Sequence, residues 1–178
     1  MKLKRLAESL VKKYRTRDPF QIADALGYIV LRVPLKGIRG YYRHMKRRTI
    51  IYIDSGLDWW EEGFVCAHEI GHALLHRGCN RIFMDTNTYF KVDEYEIEAD
   101  KFALNLLYSD SEVACFFCMP ASVFADAAGV STELAEYRMD IVDLSTCEYP
   151  EAEPIVFTEK ERRNPCRLFH TTHFPPKH

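Results

Sequence analysis

Leu3, Leu6, Leu10, Val11 and Tyr14 recur at three- and four-residue intervals among charged residues, which predicts an amphipathic helix over residues 3–15. Asp18-Pro19 supplies a second helix start: an aspartate side chain accepts from the first free N–H groups, and a proline there loses no hydrogen bond. Gly27 ends that helix. The pattern then changes. Tyr28–Val33 and Thr49–Asp54 are rich in β-branched and aromatic residues, with a weaker strand-like stretch over residues 37–44 between them. Together they predict a short antiparallel three-stranded sheet, with the basic run Arg43-His44-Met45-Lys46-Arg47-Arg48 as a hairpin turn. From about Trp59 the helical spacing returns, with Trp60, Phe64, Ala67, Gly71 and Leu74 as the buried stripe. A further helix over Val92–Leu107 carries Val92, Tyr95, Ala99, Phe102, Ala103, Leu106 and Leu107 on one face. Met119-Pro120 and Ser131-Thr132-Glu133 open two more, the last ending near Val142. Runs in this order predict an α+β fold, mostly helical.

From Leu144 the composition shifts, with Pro150, Pro154, Pro165, Pro175 and Pro176 punctuating a polar, weakly periodic stretch. Residues 1–143 therefore read as one domain and residues 144–178 as an extended tail. The chain has 178 residues, 47% hydrophobic and 28% charged, with a net charge of −2, which suits a single globular unit with a sizeable core. No apolar run reaches membrane-spanning length, and charges are spaced through the first ten residues, so neither a transmembrane segment nor a secretory signal is expected. That implies a cytoplasmic protein whose six cysteines stay reduced. Cys66 reads as a small buried filler, and Cys115-Phe116-Phe117-Cys118 as core or interface, because no second CxxC pairs with it. Cys147 and Cys166, in the tail, would pair only under oxidising conditions. One short basic run on a slightly acidic chain is a solvated turn, so direct nucleic-acid binding is not expected.

The chemistry concentrates in His68-Glu69-Ile70-Gly71-His72, an HExxH motif within an apolar-periodic helix. Histidines four apart lie one turn from each other on nearly the same helix face, so both imidazoles reach one ion. Glu69, beside them, can take a proton from a water attacking a carbonyl. Catalytic zinc takes three protein ligands, so a third donor is required. At about 100° per residue, Glu96 and Asp100 border the apolar stripe of the Val92–Leu107 helix, while Glu98 falls on the far side with Glu94, Lys101 and Asn105. Helix geometry therefore favours Glu96 over Glu98 as third ligand, with Asp100 placed to accept the second ring N–H of a ligating histidine. His76 extends the series, but eight residues of helix rise about 12 Å, too far for His68 and His76 to share an ion. It reads as a helix-end residue whose charge suits the carbonyl terminus. Tyr41, Tyr42 and Arg138 are candidate oxyanion donors.

The stretch His68-Glu69-Ile70-Gly71-His72-Ala73-Leu74-Leu75-His76, together with Glu96-Ile97-Glu98-Ala99-Asp100-Lys101-Phe102-Ala103, resembles the ImmA/IrrE family of zinc metallopeptidases. The resemblance extends upstream to Asp18–Val30, Ile38–Tyr42 and Ile50–Asp54, and covers roughly residues 1–143. Helix, sheet, HExxH helix and ligand helix in this order describe a small zincin-like domain. The resemblance implies a zinc endopeptidase that cuts a helix-turn-helix repressor of a mobile element or stress regulon. Two alternatives share the site. A toxin–antitoxin-like partner would be a different protein substrate, and a metal-dependent binding module would keep the ion without Glu69-dependent cleavage. A DNA-binding protein would instead use Arg43–Arg48 and the last helix, with a steep salt dependence.

Overall fold

The computed structural model describes residues 2–76 and 89–147, with side chains from Asp93 onward in the second segment. Two compact units divide the chain, one over Met1–Leu107 and one from Tyr108 onward. Residues 148–178, most of the expected tail, lie outside the described residues, as do Cys166 and the side chain of Val92.

In the first unit, α1 (Lys2–Tyr14) buries Ala7 and Leu10 and packs against α4 (Tyr89–Leu107). Beyond α1, Arg17 donates to the carbonyls of Asn105 and Leu106 at 3.1 and 2.9 Å, which satisfies acceptors at the end of α4. Helix α2 (Pro19–Ala25) starts as its residues dictate: the Asp18 carboxylate accepts from the Phe20 N–H at 2.8 Å, and Pro19 occupies the first turn.

The expected antiparallel sheet is instead mixed. Strands β1 (Ile29–Val33), β2 (Gly40–Met45) and β3 (Arg48–Asp54) lie in the order β1-β3-β2, with β1 parallel and β2 antiparallel to β3. Lys46 and Arg47 form the β2–β3 turn, both at positive φ, as a tight two-residue hairpin demands. The link from β1 to β2 forms no such hairpin and arches over the end of β3. Leu35 N–H donates to the Asp54 carboxylate, Asp54 N–H to the Arg39 carbonyl and Ser55 N–H to the Val33 carbonyl, all at 2.9–3.0 Å. The strand that takes the middle is the most buried of the three, with Thr49, Ile51 and Ile53 buried on one face.

Helix α3 (Trp59–Leu75) lies between α4 and the sheet, touching α2, α4, β2 and β3. Its buried surface is therefore wider than one stripe. Ala67 and Gly71 are buried as expected, but Trp60, Phe64 and Leu74 are only half-buried, while Val65, Cys66, Ile70 and Ala73 complete the core contact. Glu62 is buried and paired with Arg32 of β1 at 2.8 Å, which ties helix to sheet. On α4, Ala99, Phe102, Ala103, Leu106 and Leu107 are buried. Asn105, expected on the solvent side, is buried too, because α1 and the Arg17 side chain cover that end of the helix.

The second unit holds α5 (Asp110–Ala114), α6 (Ala121–Ala128) and α7 (Thr132–Asp140), then a 3-10 turn at Leu144–Thr146. Phe116 and Phe124 meet in its core with ring centroids 5.1 Å apart. Of the Cys115-Phe116-Phe117-Cys118 stretch, expected to be core or interface, Phe116 is buried and the other three residues are exposed. Among the described helices none is long and apolar enough to cross a membrane.

Candidate metal centre

The site begins at the start of α3. Asp58 accepts from the Glu61 N–H at 2.8 Å, and the Glu61 carboxylate accepts from the Asp58 N–H at 3.3 Å. This reciprocal cap sets where the helix starts and satisfies two amides that would otherwise lack partners. Two glycines then allow close approach. A Cβ on Gly71 would stand 2.9 Å from Phe102 Cδ1 and 3.3 Å from the Ala99 Cα, so its absence lets α4 come against the HExxH turn. At Gly40 a Cβ would collide with the Val65 side chain and come within 2.9 Å of the Tyr52 carbonyl, so β2 can lie against the same helix only with glycine there.

Between these elements three donor side chains converge. His68 Nε2 and His72 Nε2 are 3.0 Å apart, and they lie 3.4 and 3.3 Å from the two carboxylate oxygens of Glu96. Four-coordinate zinc with bonds of about 2.0–2.1 Å would hold its ligand atoms roughly 3.3 Å apart, so the triangle fits such an ion. The other ring nitrogens are also engaged: His68 Nδ1 lies 2.8 Å from Asp100 Oδ1, and His72 Nδ1 lies 3.0 Å from His76 Nδ1. Carboxylates outnumber cations here, and the effect on His68 follows. Burial pushes its pKa down, but the hydrogen bonds to Asp100 and Glu96, with the charge of Glu69 nearby, outweigh that and raise it to about 9. An arrangement that holds a proton this firmly also suits a metal cation.

A cleft of about 320 Å³ opens onto the triangle. One wall is the entrance to β2, residues 37–40; the other is Phe64, Val65, His68 and Glu69 of α3, with Glu96 and Asp100 of α4 at its floor. Glu69 is buried in that wall. The structure thus brings together His68, His72, Glu96, Asp100 and Glu69. The candidate oxyanion donors have the following contacts. Tyr41 stacks on Tyr52 at 4.6 Å, Tyr42 donates its hydroxyl to the His76 carbonyl at 3.2 Å, and Arg138 is buried in the second unit on Asp110 and the Tyr108 carbonyl.

His76 does sit at the end of α3, yet it is more than a charge at a terminus. It is buried, with Nδ1 on His72 and Nε2 2.9 Å from Glu98 Oε2. Glu98, half-exposed, stays out of the donor triangle but meets this ring as well as water. The signal for the first contact is the four-residue spacing of His72 and His76, the same as that of His68 and His72.

The peptidase model described as the IrrE N-terminal-like domain matches residues 23–140. The chain belongs to this family. The match spans the sheet, both site helices and every residue of the triangle. The chain is 42% identical over 139 residues to the uncharacterized immunity region protein 2 of Bacillus phage phi105, covering 76% of this chain and 88% of that protein. It is also 28% identical over 110 residues to the metallopeptidase ImmA of Bacillus subtilis (strain 168), covering 61% of this chain and 64% of that protein. Family membership brings metallopeptidase-type chemistry and a divalent metal at the level of the family.

Proposed function

We propose that the chain is a zinc-dependent endopeptidase, acting in the cytoplasm on a helix-turn-helix repressor of a mobile element or stress regulon. The observation that carries this reading is the convergence of His68, His72 and Glu96 at ligand spacing beside a buried Glu69, in an open cleft. Two imidazoles and one carboxylate are a donor set of catalytic zinc, with a position left for water or substrate. When bound, the metal polarises a scissile carbonyl and acidifies a water molecule. Glu69 takes the proton from the attacking water and passes it to the departing amine. Asp100 fixes the tautomer of His68, so that Nδ1 carries the proton and Nε2 offers its lone pair. The substrate segment lies in the cleft alongside β2, whose second edge carries no strand among the described residues. Ile38, Phe64 and Val65 line that path and suit an apolar side chain. A repressor as substrate draws support from the family and from the immunity-region name of the phage relative.

The test is incubation of the purified chain with the repressor encoded beside its gene, followed by mass spectrometry of the products. One cleavage site is expected, lost in Glu69→Gln with zinc and repressor binding retained, because glutamine keeps the shape but cannot accept the proton. Cleavage that persists in Glu69→Gln rules out the proposed base. Binding without cleavage by the unaltered protein favours a metal-dependent binding module.

A further inference from the structure

His72 differs from His68 in how its ring is held. His68 Nδ1 meets a carboxylate directly, that of Asp100 at 2.8 Å. His72 Nδ1 meets another imidazole, His76, at 3.0 Å, and His76 in turn meets the Glu98 carboxylate at 2.9 Å. A neutral imidazole carries one N–H, so the chain of contacts admits a single proton assignment once His72 Nε2 offers a lone pair. The His72 proton then sits on Nδ1 and is donated to His76 Nδ1. The His76 proton sits on Nε2 and is donated to Glu98. Moving either proton to the other nitrogen would set two N–H groups or two lone pairs against each other. The ring of His76 is also fixed by packing, with Tyr95 4.3 Å away between centroids and the Tyr42 hydroxyl on the His76 carbonyl.

We infer that His76 and Glu98 form a relay that positions His72, the counterpart for this histidine of what Asp100 does for His68. Neither is a ligand. Glu98 fixes the tautomer of His76, and His76 fixes the tautomer and ring orientation of His72. Three carboxylates of α4 thereby serve three tasks at one centre: Glu96 in the triangle, Asp100 behind His68, and Glu98 behind His76. A helix-terminus role for His76 would explain its place in the chain, but not a buried ring with both nitrogens engaged. The relay rests on the metal centre proposed above.

The test is metal affinity of the full chain, measured for Zn2+ by competition with a chromophoric chelator and for Co2+ by its visible absorption. Glu98→Ala is expected to weaken zinc binding by about tenfold and His76→Phe by about ten- to a hundredfold, each shifting the Co2+ spectrum. Glu98 is half-exposed, so its replacement leaves the packing of α3 and α4 in place and keeps the test sound should His76→Phe fold poorly. The decisive measurement is the pair. In the His76→Phe background, Glu98→Ala should weaken binding no further, because its effect travels through the missing ring. Unchanged affinity in Glu98→Ala, or the same fold-loss in both backgrounds, overturns the relay. Failure of the unaltered chain to bind either ion overturns the metal centre itself, and the relay with it.

Discussion

Replacing Gly71 by alanine would add one methyl group where α4 packs against α3, one residue before His72. The new Cβ would stand 2.9 Å from Phe102 Cδ1 and 3.3 Å from the Ala99 Cα, against an ordinary carbon contact of about 3.5–4.0 Å. Phe102 is fully buried and cannot swing into solvent, and the second neighbour is backbone. The helices must therefore separate by a few tenths of an ångström, or the phenylalanine must leave its rotamer. Overpacking of this kind costs about 1–3 kcal/mol. Alanine returns about 1 kcal/mol through its helix propensity, so a net loss of about 1 kcal/mol, within a range of about 0–2, is expected. For a unit of this size, at about 4 °C per kcal/mol, that lowers the unfolding midpoint by about 4 °C and by no more than about 8 °C. The same displacement moves Glu96 relative to His68 and His72, so zinc should also be held less tightly. Thermal unfolding by circular dichroism, with and without zinc, measures the first effect and chelator competition the second. If the clash with Phe102 is the cause, Phe102→Leu will cost less in the Gly71→Ala background than alone. A Gly71→Ala protein as stable as the unaltered chain, with equal zinc affinity, would refute the close-approach argument.

Asp110→Ala should destabilise the second unit by about 3–5 kcal/mol in urea unfolding, because it strands a buried guanidinium on which Nε and Nη1 already have no hydrogen-bond partner among the described residues. Cys66 should resist thiol reagents until the protein unfolds, since burial pushes its pKa far above the usual thiol range, whereas Cys115 and Cys118 should label in the folded state; peptide mass spectrometry distinguishes them. The metal-free protein should lose thermal stability as pH rises. The folded pKa of His68, about 9, lies above its ordinary value of 6.5, so the stability from its protonated ring is fully present below about pH 6.5 and lost as pH passes through about 9. That slope should vanish in His68→Ala and in the zinc-loaded protein, as midpoints measured across pH 6.5–9.5 will show.

Local chemistry made much of this chain legible from its residues alone. Asp18-Pro19 and Ser131 start helices where they stand because capping needs only near neighbours in the chain. The convergence of His68 with His72 follows from four-residue helical spacing, and the placement of Glu96 rather than Glu98 next to both rings from its angular position relative to the apolar stripe. Long-range pairing lay beyond that reach. Three strand-like runs do not specify which lies in the middle, and β3 takes that place because the β1–β2 link arches over its end. The wide burial of α3 follows from having a sheet on one side and α4 on the other, which a single helix cannot announce. Glu98 and Asn105 lie on one predicted solvent face, yet one meets His76 and the other is buried, because neighbouring elements reach that face at different heights along α4. Helical periodicity tells how residues are arranged around their own axis; only the packed structure supplies what each side of that axis meets.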